Sequence, residues 1–335
     1  MNKFSQFCAD LVKHTDLKPL IYTSPASGYR ARSEFGFSKD SYTMIRDGRK
    51  VFMNSYDITH LSIQKVMNEL LLLIRSNDII KQKLFQVNFR TSGTNVLASL
   101  IYHRQLDDEW IAEAKKIQNA LSNISIIGRS KKTNVLIGRE NLEITYVINN
   151  SSFKILQNDL VFFQPNIYLY PLMMKFILDQ LEEPKDLLEL YCGCGGFTLA
   201  LASQFNKIFA TENNRHSIRL LKESIELNSI SNIKIGRLSG DETASALAKD
   251  RPFRRLENID LDSYNFSHIL VDPPRAGLSE ETINLSAQFK NMIYISCNPD
   301  TFIRDLKELN REIKSIAIFD QFANTQHLEI IALIK

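Results

Sequence analysis

After about residue 165 the chain alternates between short apolar runs and helical stretches. That alternation limits the possible folds more than any other feature. The apolar runs are Asp186–Tyr191, Ile208–Glu212, Ile233–Leu238, His268–Asp272, Met292–Cys297, Ser315–Phe319 and Leu328–Ile334. Helical patterns over roughly 197–205, 215–228 and 300–310 fall between them. Strands and helices of this length in alternation predict a mostly parallel, doubly wound sheet. The first half reads differently. Residues 3–15 predict an amphipathic helix, with Phe4, Phe7, Cys8, Leu11 and Val12 at helical spacing. Tyr29 to Met53 reads as strands broken at Lys39-Asp40 and Asp47-Gly48-Arg49-Lys50. Helices are predicted over 60–80 and 107–122, and strands over 85–90, 96–102 and within 124–148. The expected organisation is an α+β domain over 1–160, built on an antiparallel sheet, followed by an α/β domain over 161–335.

Charge follows the same division. Residues 1–150 hold 21 Lys and Arg against 14 Asp and Glu, and residues 151–335 hold 20 against 24. A basic first half joined to an acidic second half points to a polyanion-binding region attached to a domain with other work. The N-terminus lacks an apolar signal core, and the longest aliphatic run, Leu70 to Ile74, is far short of a membrane span. A cytoplasmic protein is expected. The four cysteines are Cys8, Cys192, Cys194 and Cys297. Cys192 and Cys194 sit one residue apart in a glycine turn, poor geometry for a disulfide, and no Cys/His cluster completes a zinc or iron–sulfur site. No metal is expected.

Three motifs end predicted strands, the edge of an α/β sheet where ligands bind. Tyr191-Cys192-Gly193-Cys194-Gly195-Gly196 is a glycine turn. Such turns let the backbone approach a ligand closely. About 20 residues on, Ala210-Thr211-Glu212 places a carboxylate that can accept from ribose hydroxyls. This pair fits either NAD or S-adenosylmethionine (SAM). Asp272-Pro273-Pro274-Arg275, a rigid loop at a strand end, favours SAM, because SAM-dependent methyltransferases commonly hold a proline-rich loop beside the methyl group and the target base. Ser296-Cys297-Asn298-Pro299 then adds a thiol at a third strand end.

Together these segments resemble the tRNA (uracil-5-)-methyltransferase family. The resemblance rests on Phe163-Gln164-Pro165-Asn166, Leu188 to Gly193, Ala210-Thr211-Glu212, Val271 to Leu278, Ile295 to Thr301, Phe319-Asp320-Gln321-Phe322 and His327-Leu328-Glu329. Weaker similarity covers Tyr29 to Phe35 and Tyr102 to Trp110, so it runs the length of the chain. It implies a Rossmann-like SAM methyltransferase domain behind an N-terminal RNA-binding domain. Cys297 matches the family's nucleophile and Glu329 its general base. Gln164, Tyr191, Glu212 and Asp272 match cofactor-binding positions, with Gly193 and Gly196 in the same turn. Where this chain has Cys194 and Gly196 the family commonly has asparagine. The second asparagine is a cofactor contact, so mildly weaker SAM binding is expected here. Asn324-Thr325-Gln326-His327 replaces a more aromatic, His-rich stretch, and Leu328 replaces methionine.

The implied reaction is methylation of C5 of the tRNA T-loop uridine, position 54 in the tRNA's numbering. C5 of uracil is too electron-poor to take a methyl group directly, and thiolate addition at C6 makes it nucleophilic. The thiolate is the active species, so a lowered pKa is expected at Cys297, helped by the N-terminus of the following helix. The uridine must leave its loop, which predicts base flipping. Arg30, Arg32 and Phe35, with Phe37, interleave charge and aromatic rings and are candidate RNA contacts. Arg275 and Asn298 are further candidates, and Arg129, Lys131, Lys132 and Arg139 form a second basic cluster. The expected partner is the T-arm of tRNA, bound by a monomer. The alternatives are the same reaction on ribosomal RNA or tmRNA, and a non-catalytic RNA-binding or RNA-folding protein.

Overall fold

The hairpin turns of the first half close where the sequence places them, because Lys39, Asp40 and Asp47 adopt φ near +50° and Gly48 φ +72°. Backbones with positive φ match the twist of paired strands. The computed structural model describes residues 3–323 and 325–335. Asn324 and the first two residues lie outside it. In chain order, α1 (Lys3–Leu11) and β1 (Leu20–Tyr22) precede a hairpin pair, β2 (Arg32–Ser38), β3 (Ser41–Arg46) and β4 (Arg49–Met53). Next come α2 (Leu61–Arg75), α3 (Asp78–Lys81), β5 (Leu84–Thr91), β6 (Val96–Tyr102), α4 (Asp108–Ala120), β7 (Ile124–Arg129) and β8 (Asn134–Ile137). A separate hairpin, β9 (Leu142–Ile148) and β10 (Ser151–Gln157), follows. The remainder runs α5 (Leu169–Asp179), β11 (Asp186–Leu190), α6 (Gly196–Leu201), β12 (Lys207–Thr211), α7 (Arg215–Leu227), β13 (Ile233–Gly236), α8 (Gly240–Ala248), β14 (Phe266–Val271), α9 (Glu280–Ser286), β15 (Asn291–Ser296), α10 (Pro299–Leu309), β16 (Ile313–Phe319) and β17 (Glu329–Ile334).

The first sheet has the order β4-β3-β2-β5-β6-β7-β8. It is antiparallel except for the parallel pair β6 and β7, which α4 connects, so the expectation of a purely antiparallel sheet is corrected. One face packs on α2 and α4, with Met67, Leu70, Trp110 and Ile117 in its core. Phe35 belongs to that core. It is 2 % exposed and its ring contacts Tyr42, Tyr56 and Phe89. In β2 alternate side chains go to opposite faces, so Phe35 and Phe37 turn inward while Arg32 and Glu34 point away. The reading of Phe35 as an RNA contact is therefore wrong. A strand with one buried face interleaves polar and aromatic residues for reasons of packing alone.

The second sheet has the order β1-β16-β17-β15-β14-β11-β12-β13. Strands β11 to β15 are parallel, and β17 runs antiparallel between β15 and β16. Both faces are covered: Leu187 and Ile293 join a core with α5 to α7, while Leu188 and Met292 join one with α1, α9 and α10. Strands buried on both faces read as continuous apolar runs, which is why they were legible.

A division at residue 160 does not follow the packing. Strand β1 pairs with β16, and Phe7 of α1 packs edge-on against Phe302 of α10. The β9–β10 hairpin lies on α7, where Ser224 and Asn228 accept hydrogen bonds from the β10 backbone at 3.0 and 2.8 Å. The segments 3–22 and 142–157 thus belong to the second body.

Candidate functional site

Strand direction assembles the site. The C-terminal ends of β11, β12, β14 and β15 share one edge of the second sheet, and because β17 is antiparallel its first residue, Glu329, arrives at the same edge. Ser296 pairs with Ile330, so Cys297 and Glu329 lie next to each other across two neighbouring strands. The turn after β11 is tight. Tyr191 has φ +59°, and Gly195 has φ +90° with Leu221 so near that a Cβ would meet it at 2.2 Å. Glu212, after β12, accepts from the N–H of Gly193 at 3.0 Å and of Asn214 at 2.7 Å. The carboxylate is held in place with lone pairs to spare.

Asn298 caps α10, accepting from the Asp300 N–H, and its amide donates to the Arg275 carbonyl at 3.0 Å. Arg304 donates to the carbonyls of Ala276 and Leu278. The proline-rich loop is thereby fixed against the helix that follows Cys297. Gln164 is carried by a loop pinned to the first sheet: the Ala31 N–H donates to the Pro165 carbonyl at 2.7 Å, and buried Arg90 donates to the carbonyls of Val161 and Asp159. Lys3 of α1 bonds Asp320 and the carbonyls of Phe322 and His327, holding the segment before Glu329.

A cavity of about 520 Å³ lies between these groups. Gln164, Tyr191, Gly193, Gly196, Glu212, Asp272, Arg275, Cys297 and Glu329 all line it. A second cavity, of about 690 Å³, reaches Cys297 and Arg275 from the side of α1 and α10 and has Asn298 on its wall. The remaining expected contacts lie elsewhere. Arg32 is paired with Glu34 at 2.6 Å. Arg30 lies over the Phe322 ring, 5.5 Å from its centre, and touches the cavity only through that ring. Arg129 is bound to Asp159 by two hydrogen bonds, and exposed Lys131 and Lys132 occupy the β7–β8 turn. Sequence reasoning missed Glu189, Tyr170 and Phe322, which also line the cavity. Glu189 stood inside the quoted strand motif; Tyr170 carried no local signal. All four cysteines are free, and among the described residues no His, Cys, Asp and Glu cluster is placed to hold a metal.

The electrostatics correct one expectation. Burial pushes the Cys297 thiol up to about 11, with Glu329 and Asp272 adding to the rise and Arg275 opposing it. The sequence led to a lowered value because the helix after Cys297 was legible and the burial of the thiol was not. Burial also raises Asp272 and Glu329, and Glu329 is raised further by Asp272. Glu329 is 3 % exposed. Burying an ionised group disfavours its charged form, so this edge holds protons when nothing cationic is bound. Modification of the Cys297 peptide by iodoacetamide, followed by mass spectrometry, is expected to keep accelerating through pH 10. An unperturbed thiol levels off above about 8.5. A plateau near neutrality would show a preformed thiolate.

A doubly wound sheet whose strand-end cavity brings a backbone-anchored carboxylate, a glycine turn and a thiol to one place has the form in which α/β enzymes bind nucleotide-type cofactors. The family model for tRNA (Uracil-5-)-methyltransferase matches residues 2–335, and the chain belongs to that family. It is 41% identical over 321 residues to a tRNA/tmRNA (uracil-C(5))-methyltransferase of Teredinibacter turnerae, covering 92% of this chain and 88% of that protein. It is 42% identical over 322 residues to the protein of that name from Nitratiruptor sp., covering 93% and 88%. Among solved structures, the Pyrococcus abyssi tRNA (uracil-54, C5)-methyltransferase in complex with S-adenosyl-L-homocysteine shares the fold, with a TM-score of 0.77 at 21% identity, covering 99% of this chain and 83% of that one.

Proposed function

We propose that this chain methylates C5 of the T-loop uridine of tRNA, position 54, from SAM, with Cys297 as nucleophile and Glu329 as base. The observation that carries this reading is the adjacency of Cys297 and Glu329 where two cavities meet. The residues present fit SAM. Glu212, fixed by two N–H groups, suits the ribose hydroxyls, and the cavity is of the size that takes a nucleotide-like ligand. Gln164, Tyr191, Gly193, Gly196 and Asp272 complete the walls. Bound SAM supplies an electrophilic methyl group and a sulfonium charge that favours ionisation of the neighbouring thiol.

The chain's own groups do the rest. Cys297 gives up its proton to solvent through the second cavity, leaving Glu329 ionised, and its sulfur adds to C6, moving the ring electrons toward O4 and making C5 the nucleophile. Once C5 carries the methyl group, Glu329 removes the C5 proton. The electrons of that C–H bond re-form C5=C6, and the C6–S bond breaks to return the thiolate. Uracil approaches by the second cavity, whose wall carries Lys3, Lys13, His14, Arg275, Lys307 and His327, a basic lining suited to RNA phosphates. The sheet of residues 32–137, basic in sequence, grips the rest of the T-arm. The site is complete within one chain, which supports a monomer. No helix among the described residues is long and apolar enough to cross a membrane, and a tRNA substrate supports a cytoplasmic location. The names of the relatives add tmRNA as a second substrate.

The test is mass spectrometry of the protein after incubation with SAM and a T-loop RNA carrying 5-fluorouridine at the target. Fluorine cannot leave C5 as a proton does. The expected product is one methylated RNA adduct on the Cys297 peptide. RNA binding without adduct would favour a non-catalytic role, and methylation confined to ribosomal RNA transcripts would overturn the substrate.

A further inference from the structure

The space over Gly196 in the turn after β11 is filled. A Cβ built on Gly196 would meet Tyr170 Oη at 1.5 Å and Cζ at 2.8 Å. No side chain fits at 196 while Tyr170 holds its place, so the vacancy expected from Gly196 is not a vacancy. Tyr170 is held firmly. It lies in the first turn of α5, its N–H bonded to the Asn166 carbonyl at 3.0 Å, and the Asn166 side chain accepts from the N–H groups of Tyr168 and Leu169. Its ring is gripped edge-on by Tyr146 and Phe197, at 5.5 and 5.3 Å between centres.

Tyr170 is 5 % exposed, and its hydroxyl stands where a Cβ of residue 196 would be. It faces the 520 Å³ cavity together with Glu189 and Asp272. Glu189 is 1 % exposed, and its Oε2 is without a hydrogen-bond partner. A buried polar group left unpaired costs about 1–3 kcal/mol. One that faces a cavity marks a place where a ligand completes the bonding. The cavity's far wall holds Glu212 for a ribose, and its other end holds Cys297. The floor between them, with a hydroxyl and carboxyls, matches a zwitterionic amino-acid group.

We propose that Tyr170 is a cofactor-binding residue of this chain, its hydroxyl bonding the amino-acid end of SAM from the space that a side chain at 196 would otherwise occupy. This rests on the SAM reading given above. Burial raises the phenol well above its usual range, with nearby Asp272 and Glu189 adding to it, so the hydroxyl keeps its proton and remains able to donate.

Tyr170→Phe removes only the oxygen and keeps the packed ring. Titration calorimetry of the unaltered and variant proteins with S-adenosylhomocysteine and with 5′-methylthioadenosine, which lacks the amino-acid group, separates the possibilities. The expected result is a loss of about 5–10-fold for the homocysteine compound, the scale of one hydrogen bond, and little change for methylthioadenosine. Unchanged affinity for both would reduce Tyr170 to a packing residue, and equal losses would place its effect on the nucleoside; either overturns the proposal. Failure of the unaltered protein to bind either compound would instead overturn the SAM reading beneath it.

Discussion

Cys297→Ala is expected to lower methyl transfer to T-loop RNA by about 10⁴-fold or more, the scale set by removing a covalent nucleophile, with S-adenosylhomocysteine affinity and thermal stability close to those of the unaltered protein. The size follows from the chemistry. Without sulfur at C6, C5 of uracil has no enolate to draw on, and neither carboxyl beside it can take over the addition. Stability is preserved because Cys297 is only half-buried at a cavity wall. Its removal leaves no closed void. The measurement is single-turnover transfer of labelled methyl groups, with calorimetry as the control. Residual activity within about tenfold of the unaltered enzyme would remove Cys297 from the reaction.

Glu329→Gln is expected to fail one step later, which makes it the more telling variant. Glutamine keeps the shape and can still hydrogen-bond, but it cannot accept a proton from C5. Addition and methyl transfer proceed, elimination does not, and a denaturant-stable complex of protein and methylated RNA should accumulate with ordinary uridine as the target. Turnover falls by about 10²–10⁴-fold, the usual contribution of a positioned base. Burial helps the residue in this role. A carboxyl held well above its usual range by its surroundings is a stronger base once methyl transfer to the enolate has cancelled the cofactor's positive charge. If Glu329→Gln turns over normally, the base lies elsewhere, and Asp272, whose carboxyl is also raised, is the next candidate on that edge.

The sheet strands, the glycine turn, Glu212, Asp272 and Cys297 were legible in the sequence. They sit in local patterns whose cause is local: apolar runs buried on both faces, turns that need positive φ, and ligand groups at strand ends. Glu329 was legible only through the family resemblance, because it opens a strand, and its arrival at the same edge depends on the antiparallel course of β17. Phe35 misled because interleaved charge and aromatic rings on a strand mean the same thing for a core as for an RNA surface; only knowing which face α2 and α4 cover resolves it. The domain boundary misled because α1 and β1 return to the second sheet through contacts with α10 and β16, nearly the full chain away.

The sequence by itself determined the doubly wound class of the catalytic half and the groups that end its parallel strands, because those signals are short-range. The tertiary structure alone decided the antiparallel course of β17 that brings in Glu329, the protonation of that edge and the identity of its floor. Cys297 is raised by its burial and by carboxyls from other strands, and Gly196 is roofed by a tyrosine from a separate helix. Both are effects of distance in space and not along the chain. Desolvation, charge coupling and steric exclusion act between side chains that share no local pattern, so only their packing reveals them.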